Sequence, residues 1–390
     1  FSDFMPDERG YFRKKIVLKV SDFRSAFIQA KFLAKKSLWV SEFRIESGLN
    51  CGGHAFATDG YLLGPILEEF KLRREEMLNE LYQIFQAALA HKAIAFNGIP
   101  LQKISVQGGI GTAEENAFLL NYYKMDLTGW GSPFLLVPEA TNVDNDTLHQ
   151  LERAENDDFY LSNSSPLGIL FNSFKGSSGE RLRDERIKKG RPGSPCTKKY
   201  LVSNTEFTTE PICTASRKYQ HLKIQQIKTL NLTAEEYEEQ VNAVTEKVCL
   251  CEGLVASSYI KNGISKPKEN QAVAICPGPN LAYFSRSYSL DEMVNHIYGS
   301  IDLLKGVTRP HIFINELNLY IDYFQRELAV YVKTLSDKKH KYLVKFKNEL
   351  QSGIVYYKQL VPQLTGQAQN VTVSIEQLCL AEAKLNTVPL

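Results

Sequence analysis

The sequence predicts an α/β fold that passes into an irregular region and ends in helices. Three observations predict it. Short β-rich runs alternate with helical runs from Lys14 to Ala140, the pattern of βα units on a parallel sheet. Residues 141 to 225 lose that rhythm and are rich in Asn, Ser, Gly and charge, which reads as an irregular elaboration. From Thr233 onward, apolar residues recur at helical spacing with charges between them.

Taken in order, "KKIVLKV" reads as a strand and "SDFRSAFIQAKFLAKK" as a helix capped by Ser21 or Asp22. "SLWVSEFRI" is the next strand, and it runs into "SGLNCGGHAF". A long helix is expected over "LGPILEEFKLRREEMLNELYQIFQAALAHKAI", then strand "KISVQ", the turn "GGIG" and helix "TAEENAFLLNYYK". "MDLTGWGSPFLLV" supplies the following strand end. "KGSSGERLRDERIKKGRPGSP" is the most loop-like stretch of the irregular region. Thr233 with Glu236 forms a capping box for one helix through "EEYEEQVNAVTEKVCLCEGLVASSYI". Ser289 with Glu292 forms another, and residues 281 to 362 read as a helical subdomain. There is no internal repeat.

The chain has 390 residues, 43% hydrophobic and 23% charged, an ordinary globular composition with room for about two or three packed domains. Its net charge of +2, from 46 basic and 44 acidic side chains, gives no general attraction to nucleic acid or membrane. No apolar run is long enough for a spanning helix, and "FSDFMPDERGYFRKK" lacks the apolar core of a signal peptide. A cytoplasmic protein is therefore expected. Seven cysteines, scattered and odd in number, do not suggest a disulfide framework.

Two glycine turns carry the first chemical expectation. In "ISVQGGIGTAEE", a strand delivers Gly108, Gly109 and Gly111, and Thr112 with Glu115 caps the next helix. Glycine lets backbone approach an anion, and a helix N-terminus presents free N–H groups. A phosphate can sit there. "TGWGSPF" brings Gly129, Gly131 and Ser132 to a neighbouring strand end. Tight βα turns alone would also account for these glycines. His54, behind Gly52 and Gly53, follows a strand whose C-terminus should lie on the same face, since parallel βα units point all strand ends one way. A neutral imidazole near a bound cofactor can take a proton from carbon or polarise an oxygen; it can also merely hydrogen-bond its own loop.

With the three loops in register, Lys14 to Pro138 resembles the second half of the flavin-dependent nitronate monooxygenases, formerly 2-nitropropane dioxygenases, a family that includes the flavin-type enoyl-acyl-carrier-protein reductases. Gly48, Leu49, Asn50, Cys51, Gly52, Gly53 and His54 match the family's histidine loop, with Asn50 at a usual Glu and Cys51 at a usual Ala. Gly108, Gly109 and Ile110 match its phosphate loop, and Trp130, Gly131, Ser132, Pro133 and Phe134 loosely match its last-strand element. The resemblance implies the C-terminal part of a TIM (β/α)8 barrel over residues 1–140. It also implies FMN as cofactor, with Gly52, Gly53, Gly108, Gly109, Gly111, Gly131 and Ser132 around it. His54 would be the catalytic base or orienting group, and the substrate an activated carbon acid, either a small molecule or a thioester. A full barrel needs eight strands. The resemblance covers about half of them, so an upstream N-terminal segment that completes the barrel is expected as a partner.

The remaining chain divides by composition into an elaboration (141–230), a helix and cysteine segment (231–280) and the helical subdomain (281–390). Cys196, Cys213, Cys249, Cys251 and Cys276 are candidate thiolate ligands for zinc or an iron–sulfur cluster. They lack the usual two-residue gap, and Cys249 and Cys251 on one helix would point apart. Buried thiols are the preferred reading, and no metal is expected. In "RLRDERIKKGRPG" the acids dilute the basic field, which favours a solvated loop, although Arg181, Arg183, Lys188 and Lys189 could meet an anionic tail such as that of coenzyme A. Tyr320, Tyr323, Tyr331 and Tyr342 fall at packing positions. Two other readings stand beside the flavoenzyme: a non-catalytic phosphate-binding scaffold, and a zinc or iron–sulfur protein.

Overall fold

The structure is a computed structural model that describes residues 2–7, 9–267, 269–364 and 368–387. The chain forms two compact units. The first comprises Phe1–Asn50, Ala57–Trp130 and Thr308–Leu390, and the second Cys51–Phe56 and Gly131–Val307. This division crosses the four consecutive segments expected from composition. The last helices share a unit with the N-terminal sheet, packing against the long helix that follows its second strand.

In the first unit, four parallel strands lie in the order β1 (Ile16–Val20), β2 (Val40–Glu46), β3 (Lys103–Gln107) and β4 (Leu127–Gly129). The register aligns Val20 with Ile45, Ile45 with Val106, and Val106 with Thr128. β1 and β4 are the sheet's edges, so the described residues form an open four-stranded sheet and not the closed eight-stranded barrel of the resemblance. The crossovers are α1 (Phe23–Lys35), α2 (Leu63–Ala90) and α3 (Ala113–Asn121). Asp22, not Ser21, caps α1 by accepting from Ser25 N at 2.7 Å. Phe23, Phe43, Phe70 and Phe85 are fully buried on these elements, each contributing about 1.5–3 kcal/mol by burial.

α10 (Ile312–Thr334), α11 (Asp337–Leu364) and α12 (Ala368–Asn386) complete this unit. Their interface is aromatic: Phe324 and Phe346 stack at 5.9 Å, and Phe313 and Tyr357 at 5.0 Å. Tyr320 is buried against Phe346, as its spacing predicted. α2 starts where Gly64 meets α11, since a Cβ there would lie 2.4 Å from the Tyr357 ring.

The second unit holds α4 (Asn145–Leu151), the antiparallel pair β5 (Phe159–Ser162) and β6 (Phe171–Phe174), α5 (Ser178–Lys188), α6 (Arg217–Lys228), α7 (Ala234–Thr245), α8 (Leu250–Lys261) and α9 (Leu290–Ile297). Leu136, Leu151, Leu281, Phe284 and Met293 form its core. The stretch expected to be most loop-like is therefore helical. Ser177 caps α5 by accepting from Glu180 N, and Arg183 pairs with Glu180 one turn away, so local pairing sustains a helix that has almost no apolar face. The helix expected to continue from Thr233 through the Cys-Leu-Cys run instead breaks into α7 and α8, with Cys249 as the extended N-cap of α8. Both expected capping boxes, at Thr233 and Ser289, are present. No helix among the described residues is long and apolar enough to cross a membrane.

One buried acid couples the first unit's stability to pH. The Glu316 carboxyl accepts from Ser47 Oγ at 2.6 Å, Leu63 N at 2.8 Å and Tyr357 Oη at 3.3 Å. Burial outweighs these donors and pushes its pKa from 4.5 up to about 7. The folded value lies above the unfolded one, so the protonated carboxyl contributes its full stability below about pH 4.5, and this is lost as pH rises through about 7. The loss should amount to about 3 kcal/mol. In urea unfolding across that window, Glu316→Gln should flatten the decline seen in the native chain; parallel slopes for the two proteins would reject the assignment.

Candidate functional site

The turn after β3 is the better-defined half of the expected phosphate loops. Gly108 and Gly109 both adopt left-handed backbone, at φ +105° and +79°, which carries the chain from strand to helix without a Cβ clash. At Gly109 a neighbour also enforces glycine: a Cβ would lie 2.4 Å from Asn50 Nδ2. Asn50 in turn accepts from Asn315 Nδ2 at 2.9 Å and donates to Ile312 O at 3.5 Å. The residue that departs from the family pattern thus ties the end of β2 to the start of α10.

Gly111 has a different role from the one expected. Its N–H donates to Glu115 Oε2 at 2.8 Å, so a carboxylate already takes the donor assigned to phosphate. Thr112 Oγ1 does accept from Glu115 N at 3.2 Å, but the Glu115 side chain does not close a box on Thr112. It pairs with Arg309 Nη1 at 2.6 Å and accepts from Ile312 N at 2.7 Å, while Arg309 Nη2 donates to Gly109 O at 2.5 Å. A Cβ on Gly111 would strike the Arg309 guanidinium at 2.6 Å. Burial raises the Glu115 pKa, but Arg309, His311 and these hydrogen bonds overcome it and hold the carboxyl below its usual value. Burial lowers the His311 pKa, opposed by Glu115 and aided by Arg309. Nothing in the sequence linked Arg309 to Glu115.

In the second unit, His54 is held as a short strand. Ala55 N donates to Leu170 O at 2.9 Å, Asn172 N donates to Gly53 O at 2.9 Å, and His54 bridges Phe171 in antiparallel sense. His54 Nε2 is 2.8 Å from Ser165 Oγ, and its ring meets Phe171 edge-on at 5.0 Å. The hydroxyl and the aromatic ring fix the imidazole's orientation. Gly52 allows close approach, since a Cβ there would lie 2.4 Å from Cys276 O, while Gly53 takes left-handed backbone at φ +79° and donates to the same oxygen at 3.0 Å. Also in this unit, Gly131 has open space where a Cβ would stand, and Ser132 Oγ accepts from Gly278 N at 2.7 Å.

The cysteines separate into two places. Cys276 lies beside Gly53, its thiol pushed up by burial. Burial first, and then Cys249 and Cys251, raise the Cys196 thiol, and burial pushes Cys213 up to about 12. Among the described residues, no three His, Cys, Asp or Glu side chains are disposed to hold a metal ion. Of the basic run, Arg183 pairs with Glu180 and Asp184, Lys189 with Glu185, and Arg181 donates to Gly176 O. Those three cations are engaged along α5, and the Arg183–Glu180 pair is largely buried, not on a solvated loop.

The Arg309–Glu115 pair, both partners almost fully buried, should dominate the stability of the β3–α3 turn. Arg309→Met, which leaves the carboxylate buried without its cation, should cost about 3–5 kcal/mol in chemical denaturation. Adding Glu115→Gln to that variant should restore part of the loss, and a strictly additive double variant would contradict the pairing.

No family model matches the chain, and no curated protein matches it. Among solved structures it is similar to FabK from Thermotoga maritima, at 10% identity and a TM-score of 0.38, over 76% of this chain and 65% of that one. A mutant of the same protein aligns at 9% identity and a TM-score of 0.36, over 75% of this chain and 60% of that one. The chain therefore spans less than two thirds of the length of these structures, and at such scores the likeness assigns neither fold nor activity.

Proposed function

We propose that the chain carries the phosphate-loop and histidine part of an FMN-dependent oxidoreductase of the nitronate monooxygenase type, acting on an activated carbon acid. The observation that carries this reading is the Gly108–Gly109 turn, left-handed at both residues, at the C-terminal end of a parallel strand and leading into α3. Anions bind at that place in parallel α/β sheets.

The candidate residues fit a flavin phosphate unequally. In the first unit Gly108 has left-handed backbone, and in the second nothing stands within 4 Å of a Cβ at Gly53 or Gly131. Gly52, Gly109 and Gly111 are required by Cys276, Asn50 and Arg309 respectively, and their part is to shape the loops. Bound FMN would supply the electron-accepting chemistry. The chain's own contribution would be His54, whose Nε2 faces the Ser165 hydroxyl at 2.8 Å. That hydrogen bond orients the ring, and an imidazole in its neutral form can accept a proton from an acidic C–H.

Purified protein supplied with FMN should give a flavin absorption spectrum and should consume oxygen with an alkyl nitronate. His54→Ala should keep the flavin and lower turnover by about 10²–10⁴-fold. A colourless protein that takes up no FMN would overturn the flavin assignment, and full turnover in the variant would remove His54 from the reaction.

A further inference from the structure

The second unit contains a cavity that the flavin reading does not use. It has a volume of about 830 Å³, within the roughly 300–1,000 Å³ of small-molecule sites. One wall is a face of α6. Arg217, His221, Ile224, Gln225 and Lys228 all line the cavity, and their spacing of four, three, one and three residues puts them in one stripe along the helix. The opposite wall is the segment from Gly190 to Cys213, which adds Arg191 and Lys199.

Charge on this lining is one-sided. Arg191, Lys199, Arg217, Lys218 and Lys228 face a single acid, Glu210. Elsewhere the chain's cations are commonly matched, as in the pairs Arg183–Glu180, Lys198–Glu269 and Lys223–Glu206 that surround this region. The two thiols in the wall, Cys196 and Cys213, do not offset the cations, because burial and neighbouring cysteines raise both and keep them neutral. Arg186, close by, is held below the usual arginine value by burial and then by the charge of Arg217.

Two polar groups in the lining lack partners. Arg217 Nε and Ser194 Oγ are both buried and make no hydrogen bond, and Ser194 is only 3% exposed. Leaving such groups unpaired costs free energy that a bound acceptor recovers. Ser194 and Arg217 are also adjacent, since Arg217 N donates to Ser194 O at 2.8 Å. One oxyanion could therefore meet both.

The apolar part of the lining is aliphatic. Pro192, Pro195, Val202, Pro211, Ile212 and Ile224 contribute, and apart from His221 no lining side chain is aromatic. Such walls suit a saturated chain better than a stacked ring. We propose that this cavity binds a phosphate ester with an aliphatic body, its phosphate held by Arg217 and Ser194 and its chain lying along the Pro and Ile side chains.

The test is calorimetric titration of the whole chain with n-hexyl phosphate, inorganic phosphate and adenosine monophosphate. Hexyl phosphate should bind at one saturable site, more tightly than either of the others. Arg217→Ala should weaken it about tenfold or more. Ser194→Ala and Lys228→Ala should weaken it by smaller factors and serve as second variants if Arg217→Ala unfolds, as judged by circular dichroism. Lys305→Ala, exposed and outside the cavity, should bind as the native chain does. Flavin content should be equal in all of these proteins, so failure here is separable from failure of the flavin reading. No saturable binding of hexyl phosphate, or binding unchanged in the folded cavity variants, would overturn the proposal. Tighter binding of adenosine monophosphate would overturn the aliphatic body.

Discussion

The Glu115 carboxylate is the point on which the first unit's loop geometry depends. Its two oxygens receive the Gly111 amide, the Ile312 amide and the Arg309 guanidinium. A buried carboxylate without these donors would either protonate or draw in water. With them, it fixes the turn after β3 to the first residue of α10. Asn50 makes the same connection from the end of β2, through Ile312 O and Asn315. Polar contacts to Gly109 O and Gly111 N therefore hold the turn after β3, which is how a loop can keep a fixed shape.

This arrangement changes what the glycines mean. A glycine-rich turn at a strand end is ordinarily read as room for a ligand. Here Gly111 makes room for a guanidinium, Gly109 for an amide side chain, and Gly52 for the carbonyl of Cys276. Each is a place where protein approaches protein. At Gly53 and Gly131, by contrast, nothing stands within 4 Å of a Cβ. A motif match cannot distinguish the two roles, because both demand the same absence of a Cβ. They differ only in which atom occupies the space.

What was legible in the sequence was local. Asp22, Thr233 with Glu236, and Ser289 with Glu292 cap helices within three residues of themselves, and the order of strands and helices up to β4 follows from alternation over short windows. The irregular region misled where local signals conflicted. α5 has too few apolar residues for a periodic pattern, yet its cap and its Glu180–Arg183 pair suffice. Cys249 starts a helix that periodicity would have run through. The candidate site was legible as residue types and not as contacts. His54 meets Ser165 across 111 positions, and Glu115 meets Arg309 across 194; no window of sequence contains either pair. Glu115 is the sharpest case, since its spacing from Thr112 predicts a capping box, and a distant cation redirects its side chain.

Net charge misleads in the same way as a motif. A total of +2 excludes a strongly basic surface on average, but an average says nothing about how charges are matched. On α2, Arg73 pairs with Glu69 and Glu76, and Arg74 reaches Asp126. Along α5, Arg183 pairs with Glu180 and Asp184, and Lys189 with Glu185. Along the lining stripe of α6 there is no acid: Arg217, His221, Ile224, Gln225 and Lys228 follow one another on one face, and the acids of the chain are spent elsewhere. Partners for an anion are therefore decided by the residual of local pairing, a quantity fixed by side-chain geometry. A near-neutral protein can hold a cationic pocket provided its other cations are already answered. In this chain Arg183 and Lys189 are answered by acids of their own run, whereas Arg191 of the same run joins Lys199, Arg217, Lys218 and Lys228 on the cavity lining, where the fold concentrates the charge in space.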